Sequence, residues 1–95
     1  MLSGKQKSYL RSEAHHLQPI FQIGKGGLTE HIIKQIEDAL EARELIKVSI
    51  LQNCEEDKNE IAEKLQDAGI EVAQVIGKIL VLYKESKEKK RIVLP

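Results

Sequence analysis

The stretch with the clearest chemical meaning is Ile23-Gly24-Lys25-Gly26-Gly27-Leu28-Thr29. Glycine lets a backbone come close to a ligand and adopt positive φ without steric cost. Thr29 suits the N-cap of a helix, so a helix begins where the glycines end. The first amides of a helix have no internal partners and carry partial positive charge. Glycines and a lysine ahead of such a start can hold a phosphate, with the Lys25 ammonium adding charge to the amides. A plain strand-to-helix turn needs the same residue types.

Other chemistries fit poorly. A nucleotide-hydrolysing P-loop needs Gly-x-x-x-x-Gly-Lys-Ser/Thr, and Gly26 follows Lys25 where a hydroxyl would have to hold magnesium. A dinucleotide fingerprint needs glycine or alanine at the position of Thr29. His15, His16, His31 and Cys54 are metal ligands by type. Adjacent histidines on a helix diverge by about 100°, and no CxxC or HxxxH pairing exists, so no metal and no cofactor is expected. The pair His15-His16 instead suits the negative end of a first helix. No base and orienting group accompany Cys54 or any serine, and the carboxylates fall on outer helix faces, so no enzyme is expected.

The elements that position the loop follow from periodicity. Ser3 and Gln6 form a capping box, and Leu10, Ala14 and Leu17 make one apolar stripe, predicting a helix from Gly4 to about His16. Pro19 stops it and opens a strand, Ile20 to Ile23. A second helix is expected from Glu30 to about Ala42 on Ile33, Ile36 and Leu40. Residues 45–51 alternate as a strand, with Ile46, Val48 and Ile50 on one face and Leu45, Lys47 and Ser49 on the other. A third helix opens at either Asn53 with Glu56 or Asp57 with Glu60, and Gly69 suits its C-terminal turn. Residues 70–76 and 79–83 read as strands joined by Gly77-Lys78, a Gly-first pair of the type II′ kind. The charged tail, residues 84–91, is expected to be loosely ordered, and Ile92-Val93-Leu94-Pro95 offers an apolar end that can dock back. The order α-β-α-β-α-β-β predicts one two-layer α+β domain over residues 1–95 with a four-stranded mixed sheet.

The chain has 95 residues, 41% hydrophobic and 32% charged, which suits one small domain. The single cysteine allows no internal disulfide and favours a reducing compartment. The first 17 residues hold no apolar run of signal-peptide or membrane-span length, so a cytoplasmic protein without membrane contact is expected. Fifteen basic and fifteen acidic residues cancel, but not locally. Residues 30–71 hold 12 acids and 5 bases, whereas the remainder holds 3 acids and 10 bases. Such a division can present one basic and one acidic face.

These features suit nucleic acid. Gly24-Lys25-Gly26-Gly27 has the GXXG form with which KH-type modules clamp an RNA backbone. Tyr9, Phe21 and Tyr83 are too few for a platform of stacked rings, so contact through the backbone is the expected mode. The glycine stretch, then Glu44-Leu45-Ile46-Lys47-Val48, then Val75-Ile76-Gly77-Lys78 leading to Leu80-Val81-Leu82-Tyr83, resemble in order the CRM domain, named for chloroplast RNA splicing and ribosome maturation. Leu10, Ala14, His15, Leu17 and Pro19 fit it too. The chain is similar to the single-domain bacterial version, the YhbY type. The resemblance implies a fold like the C-terminal domain of translation initiation factor three. It implies binding to precursor RNA of the large ribosomal subunit within a pre-ribosomal particle, by a protein taken to be monomeric. The family's loop falls on Gly24, Lys25, Gly26 and Gly27. Lys5, Lys7, Arg11, Lys47, Lys78 and Lys84 are the basic residues expected beside it. The competing expectation is a protein-interaction module, in which Glu37, Glu41, Glu56, Glu60 and Glu63 face a basic ribosomal protein.

Overall fold

The computed structural model describes residues 2–95. Its elements are α1 (Gly4–Ala14), β1 (Pro19–Ile23), α2 (Glu30–Arg43), β2 (Leu45–Ile50), α3 (Lys58–Asp67), β3 (Glu71–Ile76) and β4 (Ile79–Tyr83). The four strands form one sheet in the order β1-β2-β4-β3. β1 and β2 run parallel, with α2 as the crossover, and the other two pairings are antiparallel. This is the expected α+β domain with a mixed sheet.

Local signals explain most boundaries. Both bonds of the Ser3–Gln6 capping box form. α1 stops at Ala14, two residues before the expected end; a turn from Leu17 N–H to the Ala14 carbonyl follows, and Pro19 bars helical continuation. Of the two openings for α3, the chain uses Asp57, whose carboxylate accepts from Asn59 N–H at 3.0 Å. α3 closes on Gly69, φ +86°, with Gly69 N–H to Gln66 O and Ile70 N–H to Leu65 O, the Schellman arrangement. Gly77 has φ +54° and Lys78 has none of that sign, the φ pattern of a type II′ turn.

The sheet is apolar on both faces. Ile46, Val48, Leu80 and Leu82 pack with Ile36, Leu40, Ile61 and Leu65 of α2 and α3. On the other face Leu45, Ala73, Val81 and Tyr83 pack with Leu10 and Ala14 of α1, joined by Ile92 and Leu94. β2 alternates as read from the sequence, so Lys47 lies on the α1 side.

The tail departs from expectation. α2 and β2 are joined by one residue, Glu44, at φ +65° and fully buried. Its carboxylate accepts the backbone N–H of Ser86 at 2.8 Å, of Ile92 at 2.8 Å, and of Arg91. Glu41, one turn earlier, accepts from Lys87 N–H at 3.0 Å, Glu88 N–H at 3.2 Å and the Ser86 hydroxyl at 2.7 Å. The tail is therefore clasped rather than loose. Its lysines hide the fact because the contacts go to backbone amides, which any residue type supplies.

Candidate nucleic-acid interface

The parallel pair β1–β2 ends at one edge of the domain, and the β3–β4 hairpin turns at the same edge. Ile50 N–H donates to Lys78 O at 2.7 Å, and Leu51 N–H to Ile23 O at 2.9 Å. The glycine loop, the turn at Gly77-Lys78 and the 51–57 loop therefore lie together.

The glycine loop has a fixed shape. Gly27 N–H closes a turn onto Gly24 O at 2.9 Å. Gly27 is the residue that requires glycine: its φ is +69°, and a β-carbon there would lie 2.6 Å from Glu56 Oε1. Gly26 has open space around it and no positive φ. Leu28 N–H donates to Glu56 Oε1 at 2.8 Å, and Thr29 Oγ1 caps α2 by accepting from Ile32 N–H at 3.2 Å. Lys25 and Gly26 are exposed, and their amides have no protein partner among the described residues. Two adjacent free amides and one ammonium remain for an anion.

The electrostatic setting differs from a simple cationic cradle. A hollow of about 270 Å³ beside the loop is lined by Lys25 and Lys64 but also by Glu55 and Glu56. The Leu28 amide, then the Lys64 ammonium, hold the Glu56 carboxyl below its ordinary value against the effect of burial. Glu56 thus occupies one amide near the helix start that would otherwise face a ligand. Sequence reasoning placed Glu56 at a helix start or on an acidic outer face and missed its bond to the loop, because the partner is 28 positions away and no local motif links the two.

The expected basic residues fall into separate groups. Lys78 is exposed on the hairpin at the loop's edge of the sheet. Arg11 of α1 and Lys47 of β2 line one hollow on the α1 face. Lys7 shares Arg11's side of the helix, one turn back, while Lys5 points to another side. Lys84 follows the far end of β4, roughly 16 Å from the hairpin at the usual rise per residue. Its ammonium sits 3.5 Å from Glu37 Oε2.

The acidic face is also divided. Glu41 and Glu56 are committed to backbone amides and Glu37 to Lys84, leaving Glu60 and Glu63 exposed. Glu56 lies in the loop before α3 rather than on it. Among the described residues no cluster of three or more metal-ligating side chains occurs, and no helix is long and apolar enough to cross a membrane.

Known proteins match along the whole chain. The family model for the CRS1 / YhbY (CRM) domain matches residues 2–84. The "Probable RNA-binding protein YqeI" of Bacillus subtilis is 66% identical, over 100% of both chains. An "RNA-binding protein" of Haemophilus influenzae is 44% identical, covering 99% of this chain and 95% of its own. The solution structure of a hypothetical protein from Staphylococcus aureus superposes with a TM-score of 0.83 at 62% identity, covering 100% of both chains. With the family model matched over residues 2–84 and the Bacillus subtilis relative matched from end to end, the chain belongs to the CRS1 / YhbY (CRM) domain family.

Proposed function

We propose that this chain binds RNA through the glycine loop and the cations around the same edge of the sheet, without catalysis. The observation that carries the reading is the loop itself. Gly27 and Glu56 hold it in one shape, and the Lys25 and Gly26 amides stand free beside the Lys25 ammonium. Preset donors of this kind suit a phosphate oxygen and carry no base preference. The names of the relatives support RNA as the polymer.

Gly24, Lys25, Gly26 and Gly27 make the backbone contact in this reading. Lys78, Arg11, Lys47 and Lys7 extend it, and Lys5 and Lys84 bound it from farther away. The RNA is precursor RNA of the large ribosomal subunit, and the protein assists assembly of that particle as a cytoplasmic monomer. Residues 1–95 act as one domain, with 84–95 as its clasped basic tail. Support for the RNA's identity comes from the family resemblance. A formal net charge of zero favours a structured target over indiscriminate binding.

Crosslinking in cells followed by sequencing of the attached RNA tests this. Reads are expected to concentrate in large-subunit precursor RNA. Reads spread in proportion to RNA abundance would refute the assembly role.

A further inference from the structure

Four side chains form a row across the part of the sheet that α1 leaves bare. Gln22 is in register with Ser49, Ser49 with Ile79, and Ile79 with Ile76. Residues paired in this way share a face. Leu45 and Val81, at even spacing from Ser49 and Ile79, lie under α1, so the row is on the α1 side. The helix covers the sheet farther along and stops short of the row. Gln22 is exposed, Ile76 is 54% exposed, and Ser49 and Ile79 are half-buried. Four strands at the usual spacing make the row about 14 Å across. It begins two residues before Gly24 and ends against Gly77, so it runs from the glycine loop to the hairpin.

Between this row and α1 lies a hollow of about 160 Å³. Ile76 and Ile79 give it an apolar floor, and Arg11, His15, Lys47 and Gln74 stand around it. A register shift between Val72 and Gln74 places Gln74 opposite Val81, so this bulge aims the amide into the hollow. No lining residue carries a carboxylate. Arg11 and Lys47 have no ion-pair partner among the described residues, in a chain with as many acids as bases.

We propose that this hollow takes one unstacked base from a single-stranded stretch of the bound RNA. The flat face of the base rests on Ile76 and Ile79, the flanking phosphates meet Arg11 and Lys47, and Gln74 and His15 address the base edge. The inference rests on the RNA-binding reading and adds a mode to it. The glycine loop grips backbone, whereas the hollow selects RNA with an unpaired nucleotide. Proteins read RNA sequence mainly from such splayed bases, since the grooves of an A-form duplex withhold them. With only three aromatic residues in the chain, an aliphatic floor takes the part that rings play elsewhere. A protein partner would also cover Ile76, but two unpaired cations with no carboxylate between them match a polyanion better.

The test titrates the full chain, at fixed salt, with a stem-loop RNA and with a blunt duplex of the same stem. Wild type is expected to prefer the stem-loop. Ile76→Ser is expected to lose about tenfold in affinity for the stem-loop and little for the duplex, as removal of a stacking surface would do. Arg11→Gln, at an exposed helix position, should act in the same direction if the first variant melts early. Lys25→Glu should weaken both RNAs. Stem-loop affinity unchanged in both Ile76→Ser and Arg11→Gln would overturn the base site and leave the patch to a protein partner. An equal loss on both RNAs would reduce it to a charge effect and equally overturn it. If wild type binds neither RNA, the RNA-binding reading itself fails.

Discussion

The backbone N–H of Leu28 donates to the carboxylate of Glu56 at 2.8 Å, tying the end of the glycine loop to the segment that leads into α3. Glu56 in turn pairs with Lys64 on α3. One half-buried carboxylate thus sets the loop's position and removes one donor from it. Glu56→Ala leaves that amide without a partner and is expected to cost about 1–3 kcal/mol of stability. Glu56→Gln keeps an acceptor for Leu28 and loses the charge, so it should cost less. Chemical denaturation of the two variants checks the order, and equal losses would mean that the Leu28 bond contributes little.

Within the loop, the three substitutions Lys25→Glu, Gly26→Asp and Gly27→Asp should behave differently. Lys25 and Gly26 are exposed and unstrained, so both variants should fold and bind RNA more weakly. For Lys25→Glu the log–log salt dependence should become shallower by about 0.7 to 0.9, because one fewer phosphate is neutralised. Gly27→Asp meets both positive φ and the Glu56 side chain, and should lose stability by about 1 kcal/mol or more. A folded Lys25→Glu protein with wild-type affinity and slope would show that the loop is only a turn.

The clasp on the tail gives a local readout. In Glu44→Gln the new NH₂ must face at least one of the amides of Ser86, Arg91 and Ile92, and a donor cannot accept from a donor. Hydrogen exchange at those three amides should speed up while the strands stay protected. Protection retained at all three would show that the clasp does not hold the tail in solution.

Acid should loosen both ties. The amide of Lys87 and the Ser86 hydroxyl hold the Glu41 carboxyl below its ordinary value. Burial pushes Glu44 up, but the amides of Arg91, Ser86 and Ile92, with Lys90 nearby, outweigh it and leave it lowered. Glu56 is lowered as well. Carboxyls depressed in the folded state contribute stability that is present above the ordinary value of 4.5 and lost as pH falls through their folded values. The melting temperature should hold from neutral pH to near that value and then drop. The drop should be smaller in a Glu44→Gln, Glu56→Gln double variant, and parallel curves would contradict the assignment.

The hairpin offers a control far from the tail. Gly77 needs φ +54°, so Gly77→Val should destabilise by about 1–2 kcal/mol. A structure-neutral Gly77→Val in a thermal melt would mean that the turn relaxes to another type.

The sequence by itself determined whatever depends on neighbours a few residues apart. Ser3 with Gln6, Thr29 after three glycines, Gly69 and Gly77 each fix a turn or a cap through bonds that span two to five residues, and alternation placed Lys47 on its face of β2. Residue type alone also separated the acidic middle from the basic ends. Glu44 left a faint trace: helix and strand patterns meet there with one residue between them, and it takes positive φ without being glycine. Tertiary structure decided which carboxylates are solvated and which are structural. Glu56 meets Leu28, and Glu41 and Glu44 meet residues 86–92, because the fold brings distant backbone amides to them, and an amide leaves no mark in residue type. It likewise decided that Lys84 stands apart from the glycine loop while Arg11 and Lys47 share a hollow. Strand order and register set those distances, and both follow from how two apolar sheet faces are covered by three helices rather than from any local pattern.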